Sequence, residues 1–475
     1  MNVIVKRKIE VEDFLCLLII ICPVLDIVSF IFRNTFETSI SPSTILRPII
    51  PIGVMIYLFF KKDKKFKIYT IGVGIIYLVY GLIHLYIFEK LKTGISYSNV
   101  IHEAQYVVNY SFMILNLFFF IYLFKDKDTK KLKNSVIISM YIYIISIYLA
   151  ILTNTSSSTY IEGIGEKGWF ATGNSIGSIM ILSLFIYIPL LTNNKYRKVL
   201  IPLIILLGIY LTMLLGTRVG LFGFILVLIL YIVVEIVYKL IVNAKINKKT
   251  IAICTFGICT IILVTITIGS TTLQRRRHLQ NIEGNTIDEN INSESHVTAN
   301  ILRLRNQIID GTLEENYMSD AEKESILELY DICNKMEITN NDLRSQQLIY
   351  NAMLVKNQKD LIAIIFGNGY FNNFSELLME MEIPSFLFNF GLLGFTLYFV
   401  PFLLIFVYCL YIGIKNMKKI DQEYMMLILG AGFVFALSFL TGYTFFNASS
   451  MIIIVIINTL LICKMRELKN NKSEK

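Results

Sequence analysis

The chain has 475 residues, of which 55% are hydrophobic and 17% charged, and its mean hydropathy is +0.62. That excludes an ordinary soluble domain, where about a quarter of residues are charged. A net charge of +9 would suit nucleic acid, but the basic residues sit in short loops between apolar blocks, the pattern of charge held on the cytoplasmic side of a membrane.

The apolar blocks are close to the length that crosses a hydrocarbon core as a helix, and too long and continuous for barrel strands. In chain order they predict helices at Phe14–Phe32, Thr44–Phe60, Ile68–Phe88, Tyr106–Phe124, Ser135–Leu152 and Thr172–Leu191. Six more are expected at Val199–Leu215, Val219–Val242, Thr250–Ser270, Pro384–Ile414, Tyr424–Leu440 and Ser449–Cys463. The expected fold is all-α: a polytopic membrane helix bundle of about 12 transmembrane helices with one large, partly helical extracytoplasmic loop. Lys6-Arg7-Lys8 precede the first block and no small-residue cleavage site follows it, so that block is expected to be a retained helix. With the N-terminus in the cytoplasm, 28 of the 44 Lys and Arg residues fall in short cytoplasmic segments, which also places the C-terminus in the cytoplasm of a cytoplasmic-membrane protein.

Three regions follow: residues 1–270 with nine transmembrane helices, 271–383 as an extracytoplasmic catalytic loop, and 384–475 with three helices and a short tail. Between Thr271 and Ile383, acidic residues outnumber basic ones 18 to 10. Ser319–Lys335 and Asn341–Asn357 carry helically spaced apolar residues, and a loop of this length is commonly functional. Six of the seven cysteines fall in apolar blocks and Cys333 stands alone in the loop, so neither a disulfide framework nor a thiolate metal site is expected. His84, His102, His278 and His296 have no metal-ligand spacing. No cofactor is expected.

Ionisable groups near lipid are retained mainly when something interacts with them, so the charges at the outer ends of the helices carry the functional reading. Arg218 lies in Leu215-Gly216-Thr217-Arg218 between two apolar blocks, Arg47 near the outer end of the second block, and Arg344 at the start of an amphipathic stretch. Arginine forks match phosphate oxygens and stay charged, which suits a lipid-linked diphosphate; Arg47 and Arg218 would equally serve by snorkelling to headgroups. Arg275-Arg276-Arg277 is expected to bind headgroups, and Arg303 and Arg305 to be solvated. Glu380 and Glu382 precede the tenth block; a partly desolvated carboxylate there would act as general base, or the acids would simply favour a helix start. Asp26 is positioned to pair with Arg47.

The ordered set Gly165-Glu166-Lys167-Gly168-Trp169-Phe170-Ala171-Thr172-Gly173-Asn174, Gly216-Thr217-Arg218 and Phe366-Gly367-Asn368-Gly369, ahead of Gly391-Leu392-Leu393-Gly394, resembles the O-antigen ligase and polymerase superfamily, particularly its Gram-positive exopolysaccharide or capsule polymerase members. The resemblance implies a metal-independent glycosyltransferase moving glycan from undecaprenyl diphosphate to an acceptor hydroxyl. Arg218 and Arg344 would stabilise the leaving diphosphate, with Arg303 or Arg305 as rivals to Arg344. Glu380 or Glu382 would be the base, Glu380 standing where many relatives carry histidine, and Tyr443 likewise stands where histidine is expected. Arg47, Glu382, Trp169 and Asn174 would contact substrate, with Trp169 and Tyr160 equally suited to anchoring at the interface. The implied partners are the lipid-linked donor, a glycan acceptor, membrane lipid and a chain-length regulator. The rival readings are a lipid-linked oligosaccharide flippase, a peptidoglycan-type glycosyltransferase, and a sensor or scaffold.

Overall fold

The computed structural model describes residues 10–36, 42–61, 64–160, 163–242, 251–252, 254–255, 257–258, 271–275, 296–339, 342–440, 442 and 444–470. The apolar runs of the first half wind into α1 (Val11–Phe36), α2 (Pro42–Lys61), α3 (Lys64–Lys90), α4 (Val100–Phe124) and α5 (Lys130–Leu152). A small antiparallel hairpin, β1 (Ser157–Ser158) and β2 (Glu166–Gly168), pairs Ser157 with Gly168. It leads into α6 (Gly173–Tyr187), α7 (Asn194–Ile209) and α8 (Arg218–Val242). Four helices then form from the polar segment: α9 (Ala299–Ile309), α10 (Asp320–Lys335), α11 (Leu343–Gln358) and α12 (Leu361–Phe366). The chain ends with α13 (Glu382–Asn389), α14 (Gly391–Tyr398), α15 (Val400–Lys415), α16 (Gln422–Leu440) and α17 (Ala448–Asn470).

Among the described residues nine helices are long and apolar enough to cross a membrane: α1, α3, α4, α5, α6 and α7 with their continuations to Thr192 and Leu214, α8, α16 and α17. The pair α14 and α15, bent by 46°, makes a tenth when taken as one span. The chain is therefore a multi-pass helical membrane protein. About twelve helices were expected. In α2 only Ile49–Lys61 is apolar throughout, and the block at Thr250–Ser270 lies largely outside the described residues.

The single helix expected at Pro384–Ile414 is in fact three, α13, α14 and α15. Backbone from the polar segment is wedged against the first break: the N–H of Gly369 donates to Asn389 O at 2.9 Å and that of Asn368 to Phe388 O at 3.3 Å. Gly391 adopts φ +70°, and a Cβ there would sit 2.4 Å from Ile365 O, so only glycine fits the crossing. Pro401 at the start of α15 cannot supply the N–H that continuing the helix would use.

Helices apolar all round belong inside a bundle. α6 and α17 follow this rule, being buried along nearly their whole length, whereas α3 exposes Ile75, Leu78, Leu82 and Tyr86. The polar segment has its own small core of Ile301, Leu304, Ile326, Leu329, Tyr350 and Leu354. Its helices begin on side-chain caps, including a reciprocal Ser319–Glu322 capping box on α10. The end of the bundle that carries this segment, here the loop end, also carries the hairpin and the start of α8. The opposite end gathers Lys127 with Glu12 at 2.6 Å, Lys131 with Asp13 at 3.0 Å and Lys464 with Asp421 at 2.9 Å.

Candidate functional site

The loop end is built on glycine crossings. Gly165 and Gly216 both take positive φ and meet face to face, a Cβ on Gly216 falling 3.4 Å from Gly165 Cα. Thr159 donates its hydroxyl to Leu215 O at 2.8 Å, tying the hairpin to the turn before α8. Thr217 caps α8 by accepting the N–H of Gly220 at 3.1 Å. Thr271 donates to Met213 O at 3.0 Å, which roots the short helical turn 271–275 on the same turn.

These anchors gather arginines. Arg275 lays its guanidinium 3.5 Å above the centre of the Tyr160 ring. Burial raises the Tyr160 hydroxyl above its ordinary pKa, and the positive charges of Arg275, Arg218 and Arg344 oppose that rise. Arg218 is exposed and makes no ion pair among the described residues. Arg344 donates from Nε to Glu380 Oε2 at 3.1 Å and from Nη1 to Leu440 O at 2.6 Å. Gln347 Oε1 accepts the backbone N–H of Glu380 at 3.1 Å. Gly442, with φ +68°, packs so closely on Glu380 that a Cβ would lie 2.2 Å from its carbonyl oxygen. The result is a half-exposed carboxylate beside a group of guanidiniums.

Two buried acids hold the surrounding backbone. Glu103 accepts the N–H groups of Tyr370 and Phe371 at 3.0 and 3.1 Å and meets His84 Nε2 at 2.8 Å, while His84 Nδ1 donates to Phe366 O at 2.8 Å. A carbonyl can only accept, so Nδ1 is the donor of that bond. The pair clamps both sides of the Gly367-Asn368-Gly369 turn. Glu382 is fully buried and accepts the Phe446 N–H at 2.8 Å. Burial pushes its carboxyl up to about 7, against the N–H groups of residues 444–446 and the Ser438 hydroxyl, which favour the ionised form.

Beyond residue 446, Asn447 caps α17 by accepting the Ser449 N–H at 2.9 Å. Ser449 Oγ in turn bonds Arg47 at 2.7 Å and Asp26 at 2.6 Å; Asp26 is ion-paired with Arg47 and accepts the Tyr143 hydroxyl at 2.7 Å. One strand of chain, 440–449, thus links the Arg344–Glu380 pair to the Asp26–Arg47 pair. Asp26 and Arg47 line a cavity of about 490 Å³ between α1, α2, α4, α6 and α17. Arg218, Arg275, Arg344 and Glu380 are not among its lining residues. Among the described residues no three His, Cys, Asp or Glu side chains gather as metal ligands.

This architecture, a membrane bundle with basic groups collected at one end, agrees with a match of residues 8–468 to the family model described as O-antigen ligase like membrane protein. The chain belongs to that family. Membership makes this O-antigen ligase-like protein a glycosyltransferase-like membrane enzyme of the glycan ligase or polymerase kind. No curated protein matches the chain.

Within the O-antigen ligase-like bundle, the residues singled out in the sequence separate into groups. Arg344 and Glu380 pair at the loop end, and Arg218 stands exposed as the first residue of α8. The Asp26–Arg47 pairing expected from sequence is present, in the wall of the cavity. Arg303 and Arg305 are not brought to Tyr160: Arg303 is exposed, and Arg305 stacks 3.9 Å over Tyr330. Glu382, expected against substrate, is instead enclosed beneath residues 444–446 and braces them. Trp169 donates to Thr155 Oγ1 at 2.9 Å as part of the hairpin, and Asn174 sits half-buried in the first turn of α6. Tyr443, Arg276 and Arg277 lie outside the described residues. Arg275, expected to bind headgroups, is the member of the arginine group that sequence reasoning assigned elsewhere; the signal was its place directly after an apolar block, level with Arg218. Of the cavity residues, Lys167 lies within the motif at 165–174, which does not single it out, and Gln105 and Asn109 carried no motif.

Proposed function

We propose that this O-antigen ligase-like protein transfers a glycan from a polyprenyl-diphosphate donor to an acceptor hydroxyl at the outer face of the cytoplasmic membrane, polymerising or ligating repeat units of a capsule-type or exopolysaccharide. The observation that carries this reading is the loop-end arrangement in which Arg275 stacks on Tyr160 and Arg344 pairs with the half-exposed carboxylate of Glu380. Guanidiniums held in place before the reaction stabilise the charge that develops on a departing diphosphate, and they do so without giving up a proton. In the proposed step the acceptor oxygen attacks the anomeric carbon, the bond from that carbon to the phosphate oxygen breaks, and the diphosphate leaves with its electron pair onto the arginines. Glu380, beside Arg344, takes the hydroxyl proton, and the anomeric carbon inverts. Substrate entry would open the Arg344–Glu380 contact, freeing the carboxylate to act as base and Arg344 to grip phosphate. The gathering of lysines at the end opposite the arginines supports a loop end facing out and termini facing the cytoplasm.

The test is reconstitution with a polyprenyl-diphosphate-linked repeat unit and acceptor, following glycan length. Arg218→Lys keeps the charge and loses the fork, and should cut transfer about 100-fold, the scale of removing one preorganised donor. Full activity of Arg218→Lys would refute diphosphate clamping. Movement of the lipid across vesicles without bond formation would instead identify a flippase. Preference for a disaccharide-pentapeptide lipid would identify a peptidoglycan-type enzyme.

A further inference from the structure

The 490 Å³ cavity behind the Asp26–Arg47 pair lies in the range that holds small organic ligands, and it is a graded space. Near the loop end its wall is polar, with Gln105 and Asn109 on α4, Thr172 and Ser175 on α6 and Asn447 ahead of α17. Farther along the same helices apolar residues enter the wall, at Met113, Ile179 and Val455, with Asn116 the polar exception on α4. Carboxamides inside a membrane bundle are costly unless something bonds them. Gln105, Asn109 and Asn116 line the cavity and donate no hydrogen bond to any described residue.

The chemistry of the lining selects the ligand. A carboxamide both donates and accepts, and so does a sugar hydroxyl, whereas a phosphate only accepts and would leave the amide oxygens unmatched. Tyr106 and Phe446 add aromatic surface to the wall for a sugar face to pack on. Positive charge is added by Arg33 and by Lys167, a half-buried lysine with no ion pair among the described residues. Burial lowers its pKa, so its charge is poorly compensated where it stands. Asp26, the acid in the wall, is already committed to Arg47, Ser449 and Tyr143.

We propose that this cavity is a saccharide-binding chamber for a glycan bearing an acidic substituent, separate from the arginine group, with Lys167 meeting the acid and the α4 carboxamides meeting the hydroxyls. The inference deepens the glycan-transfer reading and rests on it for the choice of a sugar as ligand. An acidic sugar seated here would place the growing glycan against Lys167 of the hairpin.

Trp169, the one tryptophan of the chain, is two residues from Lys167 and reports binding by its fluorescence. The full-length protein in phosphatidylcholine nanodiscs is titrated with a glucuronate-containing disaccharide and with its neutral glucose-containing counterpart. The acidic sugar should saturate the signal and bind about tenfold tighter than the neutral one, the size of one charge-assisted hydrogen bond. Lys167→Gln should weaken only the acidic sugar and abolish the preference, Lys167→Arg should restore it, and Asn109→Leu should weaken both sugars. Equal binding of the two sugars, or no saturable binding, overturns the proposal. Displacement of the sugar by phosphatidylglycerol in the nanodisc would make the cavity a lipid-headgroup site and overturns it too. Because binding is read without turnover, absent sugar binding beside intact transfer sinks the chamber alone, and sugar binding without transfer sinks the reaction alone.

Discussion

Glu382 offers the sharpest test of how the loop end is held. Its carboxyl is raised from 4.5 to about 7 because it is fully enclosed, and it braces residues 444–446 from beneath. At about 1.4 kcal/mol per pH unit, ionising it costs about 3 kcal/mol more in the folded protein than in the unfolded chain. The folded state holds the proton more tightly, so this contribution to stability is fully present below about pH 4.5. It is lost as pH rises through about 7 and stays lost above that. Glu382→Gln keeps an oxygen for the Phe446 N–H and cannot ionise. The variant should therefore match the parent near pH 5 and exceed it by about 3 kcal/mol by about pH 8. Unfolding of the detergent-solubilised protein is followed for both at matched scan rate across this range. Parallel pH curves, or a parent that gains on the variant as pH rises, would refute the reasoning.

Three further outcomes follow from named contacts. Arg275→Ala removes the guanidinium stacked on Tyr160 and should lower glycan transfer about tenfold with little change in melting temperature, since a cation over an aromatic ring contributes about 0.5–2 kcal/mol; unchanged transfer would return Arg275 to a headgroup role. Arg47→Met and Asp26→Leu should each destabilise by about 3 kcal/mol, because each strands a largely buried charge, whereas the double variant should lose less than the sum in the same unfolding assay. Gly391→Ala should cost more than about 2 kcal/mol, combining a positive φ with a collision on Ile365 O, while Gly53→Ala in α2, with open space around it, should be neutral or stabilising by thermal unfolding.

Composition and block length were enough to determine a multi-pass helical membrane protein, because only a helix satisfies its own backbone in lipid. Periodicity also placed the helices of the polar segment: Ser319–Lys335 and Asn341–Asn357 became α10 and α11. The Asp26–Arg47 pair was legible because an acid and a base near one end of adjacent apolar blocks have few other partners. What pattern could not supply was depth and convergence. Glu380 and Glu382 are two residues apart with similar flanks, yet the first stands open beside Arg344 and the second is sealed under the 444–446 backbone. Nothing in their spacing distinguishes them, since burial depends on a loop sixty residues downstream. Arg275 and Arg305 likewise both stack on tyrosines, and only the docking of turn 271–275 on the turn before α8 carries the first to Tyr160 at the loop end. The break at Gly391 was hidden for the same reason: an apolar run does not record which distant backbone will cross it. Hydropathy is local and sums along the chain, so the sequence determined that the chain is a multi-pass helical membrane protein, but not the exact set of spans. Electrostatic neighbourhood and enclosure arise from residues far apart in sequence, so the tertiary structure alone decided which charges meet.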